Sequence, residues 1–113
     1  MAHITPKELA LWQAQAFEFE LLDVRRAGVR SEHGGEIAGA HWHDPATWLD
    51  WKDGIGRQRP VVLYCAKGHE ISQGLTATLC ALGVDARYLE LGIQGWLQEG
   101  RPTVPLCAPG ATP

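Results

Sequence analysis

The chain has 113 residues, 45% of them hydrophobic, which suits one folded domain with one core and excludes a disordered segment. A formal net charge of -3 offers no basic balance for nucleic acid, and no apolar run reaches membrane-spanning length. Three cysteines without metal-like spacing do not make a disulfide framework, so a reducing, cytoplasmic setting is expected.

The opening Met1-Ala2-His3-Ile4-Thr5-Pro6 lacks the basic and long apolar regions of a signal peptide. Thr5 and Pro6 form an N-cap and first-turn pair. Leu9, Trp12 and Ala16 then share a face, which predicts a helix over residues 6–15. Residues 17–24 alternate and then become apolar, as a strand entering a buried sheet does, and charge returns at Asp23, Arg25 and Arg26. A short helix over 27–32 and a glycine-punctuated loop over 34–40 follow. His41-Trp42-His43 reads as a short strand. Residues 45–53, with Trp48, Leu49 and Trp51, read as a short helix closed by Gly54.

The most informative stretch begins at Val61-Val62-Leu63-Tyr64, a β-branched run that ends on Cys65. A polar loop with Gly68 follows, then helical spacing of Leu75, Leu79 and Leu82, so the pattern is buried strand, tight loop, helix over 72–82. Cys65 is thereby placed beyond the carboxyl end of a strand, where open α/β sheets bind ligands. It faces the unpartnered first amides of a helix, whose partial positive charge stabilises an anion such as a thiolate. The alternative is that Cys65 is simply a small buried hydrophobe. Gly83 stops the helix, residues 86–91 form the last strand and 93–99 the last helix. Residues 1–104 are expected to form the domain and the proline-rich 105–113 a loosely attached tail. Strands alternating with helices imply a mainly parallel sheet covered on both faces, with Asp23, His43, Cys65 and Glu90 near one rim.

Four segments, taken together, resemble the single-domain rhodanese-like proteins. Leu21-Leu22-Asp23-Val24-Arg25 is similar to the family's first signature. Gly35-Glu36-Ile37-Ala38-Gly39-Ala40 is similar to its Gly-His-Ile-Pro-Gly-Ala element. Cys65 and Gly68 match the active-site cysteine and its loop glycine. Gly92-Ile93-Gln94-Gly95-Trp96 with Gly100 and Pro102 resembles the closing signature, with Leu91 in place of the first glycine of the usual pair. The resemblance spans residues 4–104. It implies a three-layer α/β fold with a central sheet of about five strands and helices on both faces. It further implies a thiosulfate sulfurtransferase in which Cys65 holds sulfur as a persulfide, with no cofactor and no metal. Substrate contacts are expected from Ala66, Lys67, Gly68, His69, Glu70 and Ile71, and support from Asp23 and Arg25. The partners implied are a thiosulfate-like donor, a thiol or cyanide acceptor and a sulfur-acceptor protein.

Two departures from the family stand out. Many members carry an arginine in the loop, whereas here Lys67 and His69 are its only cations, and either they serve the anion or they are solvated. Glu70 would repel anions unless it turns away or pairs with a cation. The segment from Cys65 to Gly83 is also one residue longer than in most sulfurtransferases of the family. A loop of 65–71 accommodates this, although Ile71 lies in phase with Leu75, Leu79 and Leu82. A longer loop resembles that of related phosphatases and arsenate reductases, but Ile71 stands where they have an arginine. The function classes in play are therefore a sulfurtransferase, an oxyanion reductase or phosphatase, and a non-catalytic sulfur carrier or sensor.

Elsewhere, Asp23 and Arg25 suit a bracing salt bridge better than catalysis. His41 and His43 share a strand face without a third ligand at a metal spacing. Trp42, Trp48 and Trp51 suit core packing or a pocket wall, or a partner surface if exposed. Cys80 reads as core. Cys107 is a candidate for oxidation or for relaying sulfur from Cys65.

Overall fold

The computed structural model describes residues 2–106. Its elements in chain order are β1 (His3–Ile4), α1 (Pro6–Ala14), β2 (Glu20–Asp23), α2 (Ala27–His33), β3 (Gly35–Glu36), β4 (His41–Trp42), α3 (Trp48–Trp51), β5 (Val61–Tyr64), α4 (Glu70–Ala81), β6 (Ala86–Leu89), α5 (Gly92–Gln98) and β7 (Val104–Pro105). Single turns of tighter helix, Pro45–Thr47 and Lys52–Gly54, flank α3. Five strands form one parallel sheet in the order β1-β6-β5-β2-β4, and β3 pairs with β7 as an antiparallel ribbon. The parallel α/β architecture expected from the alternating pattern is the one observed.

Side-chain alternation along the strands divides the core in two. Val62 and Tyr64 of β5 face Leu9 of α1 and Ile93 and Trp96 of α5. Val61, Leu63 and Cys65 face the opposite layer, where Leu79 of α4 packs, with Trp51 and Leu75 at its edge. Each fully buried Val, Leu or Ile contributes on the order of 1.5–3 kcal/mol, so both layers hold the sheet. α1 starts as its sequence predicts. Thr5 Oγ1 accepts from the Glu8 amide at 3.1 Å, and the Glu8 carboxylate accepts from the Thr5 amide at 3.0 Å. The Thr5 amide and, in addition, the Thr5 hydroxyl donate to Glu8 Oε1, each at 3.0 Å, and lower the pKa of that carboxyl.

Several boundaries differ from expectation. α4 begins at Glu70, so Ile71 is helical and the loop does not extend through it. The Gln73 amide donates to His69 O at 3.0 Å, which closes the first turn there, and Ile71 packs against the core layer that includes Leu75 and Leu79. β2 begins at Glu20 rather than Phe17, because Ala16 takes φ 52° and the chain folds Phe17 and Phe19 onto Trp12, at 4.7 and 5.3 Å between ring centroids. β6 ends at Leu89, and Leu91 instead caps α5 with φ 63°. β1 and β3 have no counterpart in the sequence pattern, since two residues carry no detectable period. The expected tail does not begin at Pro105: Pro105 pairs with Gly35, and the Leu106 amide lies 3.4 Å from Gly34 O. The rest of that tail, Cys107 included, lies outside the described residues.

Candidate active site

β2 and β5 are parallel neighbours with Asp23 opposite Tyr64, so the segments leaving them emerge side by side on one rim. Cys65 follows the last residue of β5 and is 6% exposed. Its Sγ lies 3.1 Å from Oγ of Ser72, a buried residue in the first turn of α4. The Ser72 hydroxyl can donate to a thiolate there.

The loop after Cys65 is fastened through its carbonyls. The Ile93 amide donates to Cys65 O and the Gln94 amide to Ala66 O, both at 3.0 Å, and Gln73 Nε2 donates to Gly68 O at 2.8 Å. In a trans peptide the N–H opposes the C=O. The amides of Ala66, Lys67 and His69 consequently point away from those partners. Among the described residues, none of the amides from Ala66 to Ile71 has an acceptor. Two glycines permit the close approach. Gly68 has φ +73°, and a Cβ there would stand 2.6 Å from Leu91 N; a Cβ on Gly92, at φ +56°, would run into Cys65 O and stand 2.7 Å from Ala66 C.

An open cleft of about 250 Å³ lies over Cys65. Ala66, Lys67, His69, Glu70 and Ile71 line one side, and Arg25, Arg26 and Val29 the other. Unpartnered amides, a helix N-terminus and cations beside one thiol suit nucleophilic chemistry on an anion. A family model for the rhodanese-like domain matches residues 5–99.

The chain belongs to the rhodanese-like domain family.

Solved structures share the rhodanese-like fold. A rhodanese-related protein from Thermoplasma volcanium matches with TM-score 0.80 and 25% identity, over 92% of this chain and 98% of that one. A thiosulfate sulfurtransferase from Pseudomonas aeruginosa matches with TM-score 0.72 and 25% identity, over 90% of this chain but only 19% of its own length. A protein from Rhodopseudomonas palustris described as a possible tyrosine phosphatase matches with TM-score 0.78 and 22% identity, over 91% of this chain and 84% of that one, which speaks to the fold alone. No match was found among curated protein sequences.

In this rhodanese-like domain Asp23 does not reach the cleft. It is fully buried and takes Arg25 side-on, Nε to Oδ1 at 2.9 Å and Nη2 to Oδ2 at 2.7 Å. Arg30 adds a contact to Asp23 at 3.3 Å and pairs with Glu36 at 2.9 Å. Burial alone would lower the Arg25 pKa, but the bonds and charge of Asp23 outweigh it and raise it. Tyr64 accepts from the Ile37 amide at 3.2 Å, and burial pushes its phenol above the ordinary range, reinforced by the charge of Asp23. Trp42 Nε1 donates to Arg25 O at 2.9 Å, which fixes the strand end, while Trp48 lines a neighbouring groove that shares Arg26, Glu70 and Ile71 with the cleft. Glu70 stays exposed with no ion-pair partner among the described residues.

His43 and Glu90 do not join the cleft: His43 meets Trp51 edge-to-face at 5.0 Å between ring centroids and Glu90 lies 3.2 Å from His3 Nε2. His41 and His43 gather no further ligands, and the described residues hold no group of three or more metal-binding side chains. Cys80 is exposed rather than core, with Sγ 3.3 Å from Ala86 O. The described residues contain no helix long and apolar enough to cross a membrane. Three contributors were missed by the sequence reading: Ser72, and the cleft residues Arg26 and Val29. Position after Asp23 on the shared rim was the available signal for the last two.

Proposed function

We propose that this rhodanese-like domain moves sulfane sulfur from a thiosulfate-like donor to a nucleophilic acceptor through a Cys65 persulfide. The supporting observation is one thiol in a cleft lined by a loop of unpartnered amides, with no guanidinium rooted at Ile71. The Cys65 thiolate attacks the outer sulfur of thiosulfate. The sulfur–sulfur bond breaks, and sulfite leaves with the bonding pair. Amides of the loop stabilise the anions at both stages, and the Ser72 hydroxyl holds the sulfur lone pair. A thiol or cyanide then attacks the outer persulfide sulfur and releases Cys65 as thiolate; a sulfur-acceptor protein can supply that thiol.

Phosphoryl transfer asks for more, because its charge spreads over equatorial oxygens that a guanidinium fork would clamp. One preparation is to be assayed for thiosulfate:cyanide transfer, aryl phosphate hydrolysis and thiol-dependent arsenate reduction. Turnover is expected in the first, with phosphate and arsenate acting only as weak competitive inhibitors. Cys65-dependent turnover in an oxyanion assay alone would replace this reading with the reductase or phosphatase.

Lys67 is exposed at the mouth of the cleft, where its charge acts through screened attraction. Lys67→Ala is expected to raise the thiosulfate KM about two- to fivefold at low salt, the scale of an exposed charge interaction, and to flatten its ionic-strength dependence. An unchanged KM at every salt concentration would make Lys67 a solvated surface residue.

A further inference from the structure

The cleft over Cys65 adjoins a larger space. A groove of about 700 Å³ shares Arg26, Glu70 and Ile71 with it, and continues along Asp44, Trp48 and Leu75. That volume lies in the range that organic ligands fill, roughly 300–1,000 Å³. The two spaces differ in charge. With Arg25 neutralised by Asp23, the cleft sets Arg26 and Lys67 against Glu70, whereas the groove sets Asp44 and Glu70 against Arg26. Lys52 lies over the Trp48 ring but pairs with Asp53 and does not line the groove. Arg26, Asp44 and Glu70 have no ion-pair partner among the described residues. Asp44 accepts from the Ala46 amide through Oδ1 at 2.9 Å, and its Oδ2 has no partner among those residues. Glu70 is the telling member. At the mouth of an anion site it opposes the donor, so its charge suits a different substrate of opposite sign.

We propose that the groove is the acceptor subsite, and that the acceptor is an organic thiol carrying a protonated amine. The ammonium lies on the side of Asp44 and Glu70, the carbon chain packs against Trp48 and Leu75, and the sulfur reaches Cys65 across the shared junction. The proposal rests on the sulfurtransferase reading and names the class of its second substrate. The acceptor thiolate attacks the outer sulfur of the Cys65 persulfide. The bond between the two persulfide sulfurs breaks, Cys65 leaves as thiolate with the bonding pair, and the product is the persulfide of the acceptor. The ammonium keeps its proton throughout.

The test separates loading from discharge. Cys65 is loaded with thiosulfate and the excess donor removed. Loss of the added sulfur from the Cys65 peptide is then followed by mass spectrometry with cysteamine, 2-mercaptoethanol or 3-mercaptopropionate, each at the same thiolate concentration. These thiols share an ethylene spacer and differ in charge. At low salt cysteamine is expected to discharge the persulfide about five- to tenfold faster than 2-mercaptoethanol, the scale of two exposed charge interactions, with 3-mercaptopropionate slower still. High salt should level the three rates. Asp44→Asn, which keeps an oxygen for the Ala46 amide, and Glu70→Gln should each cut the cysteamine-to-mercaptopropionate ratio about two- to fivefold. A ratio taken within one protein is not moved by a loss of folded material. Glu70→Gln should also lower the thiosulfate KM, so that the two substrates respond in opposite directions. Equal rates for the three thiols, or a ratio that both variants leave unchanged, would overturn the proposal while the sulfurtransferase reading stands. Fastest discharge by 3-mercaptopropionate would overturn it too, because Arg26 would then govern the groove. If thiosulfate leaves Cys65 unloaded, the donor reading fails on its own; inorganic polysulfide then supplies the same persulfide, and the same discharge series decides the groove.

Discussion

Cys65→Ser is expected to take no sulfur from thiosulfate and to lose thiosulfate:cyanide transfer to background. The reason is chemical rather than structural. A hydroxyl fits the space under the loop, but only a thiolate is nucleophilic enough to attack the outer sulfur and hold it as a persulfide. The wild-type protein should gain one sulfur atom by mass spectrometry after thiosulfate and lose it after cyanide. Cys80→Ser and Cys107→Ser should behave like wild type. Cys80 makes a useful contrast, because it lies at the other end of α4, where the carbonyls carry partial negative charge and oppose an anion. A Cys65→Ser protein that still gained sulfur and gave it to cyanide would sink the assignment. Loading of wild type without repeated turnover would favour the carrier reading over the enzyme.

The second large effect is expected at Gly92, which touches no substrate. Gly92→Ala would force a side chain into a left-handed residue, at a cost of about 1–3 kcal/mol. It would also press a methyl group into the backbone of Cys65 and Ala66, for on the order of 1–3 kcal/mol more. The loop can relieve that contact only by breaking the bond from the Ile93 amide to Cys65 O, and with it the aim of the amides. A fall in Tm of roughly 10 °C and near-complete loss of sulfur transfer are expected. Gly74→Ala is the matched control. Gly74 is helical and exposed, and a methyl group added there would meet nothing within 4 Å. Alanine at that position should stabilise by about 0.4–1 kcal/mol and leave transfer intact. Equal stability and activity of the two variants would show that Gly92 does not set the loop.

Much of this was legible in the chain because the signals are local. Apolar runs such as Val61–Tyr64, helical spacing from Leu75 to Leu79, and the Thr5–Pro6 start are short-range patterns, and they define the strands, helices and parallel class. The strand-to-helix turn placed Cys65 beyond a strand end. Where the sequence reading failed, two local rules competed. Ile71 suits both a longer loop and the helical phase, and packing in the core decides for the helix. β7 was invisible because its pairing partner, Gly35–Glu36, lies far away in the chain and neither segment has a period of its own.

The α/β class and the family membership follow from residue types at fixed spacing, and the same spacing singles out Cys65 as the candidate nucleophile, so the chain carries them without its fold. Which groups meet that cysteine is a matter of packing. Ser72 becomes a partner of Cys65 because α4 starts at Glu70 and turns its buried face inward. Arg25 reads in the sequence as half of a salt bridge, which it is. That the pair is sealed from solvent beside Tyr64 depends on the pairing of β2 with β5, and pairing between distant strands is a property of the packed core rather than of any local stretch.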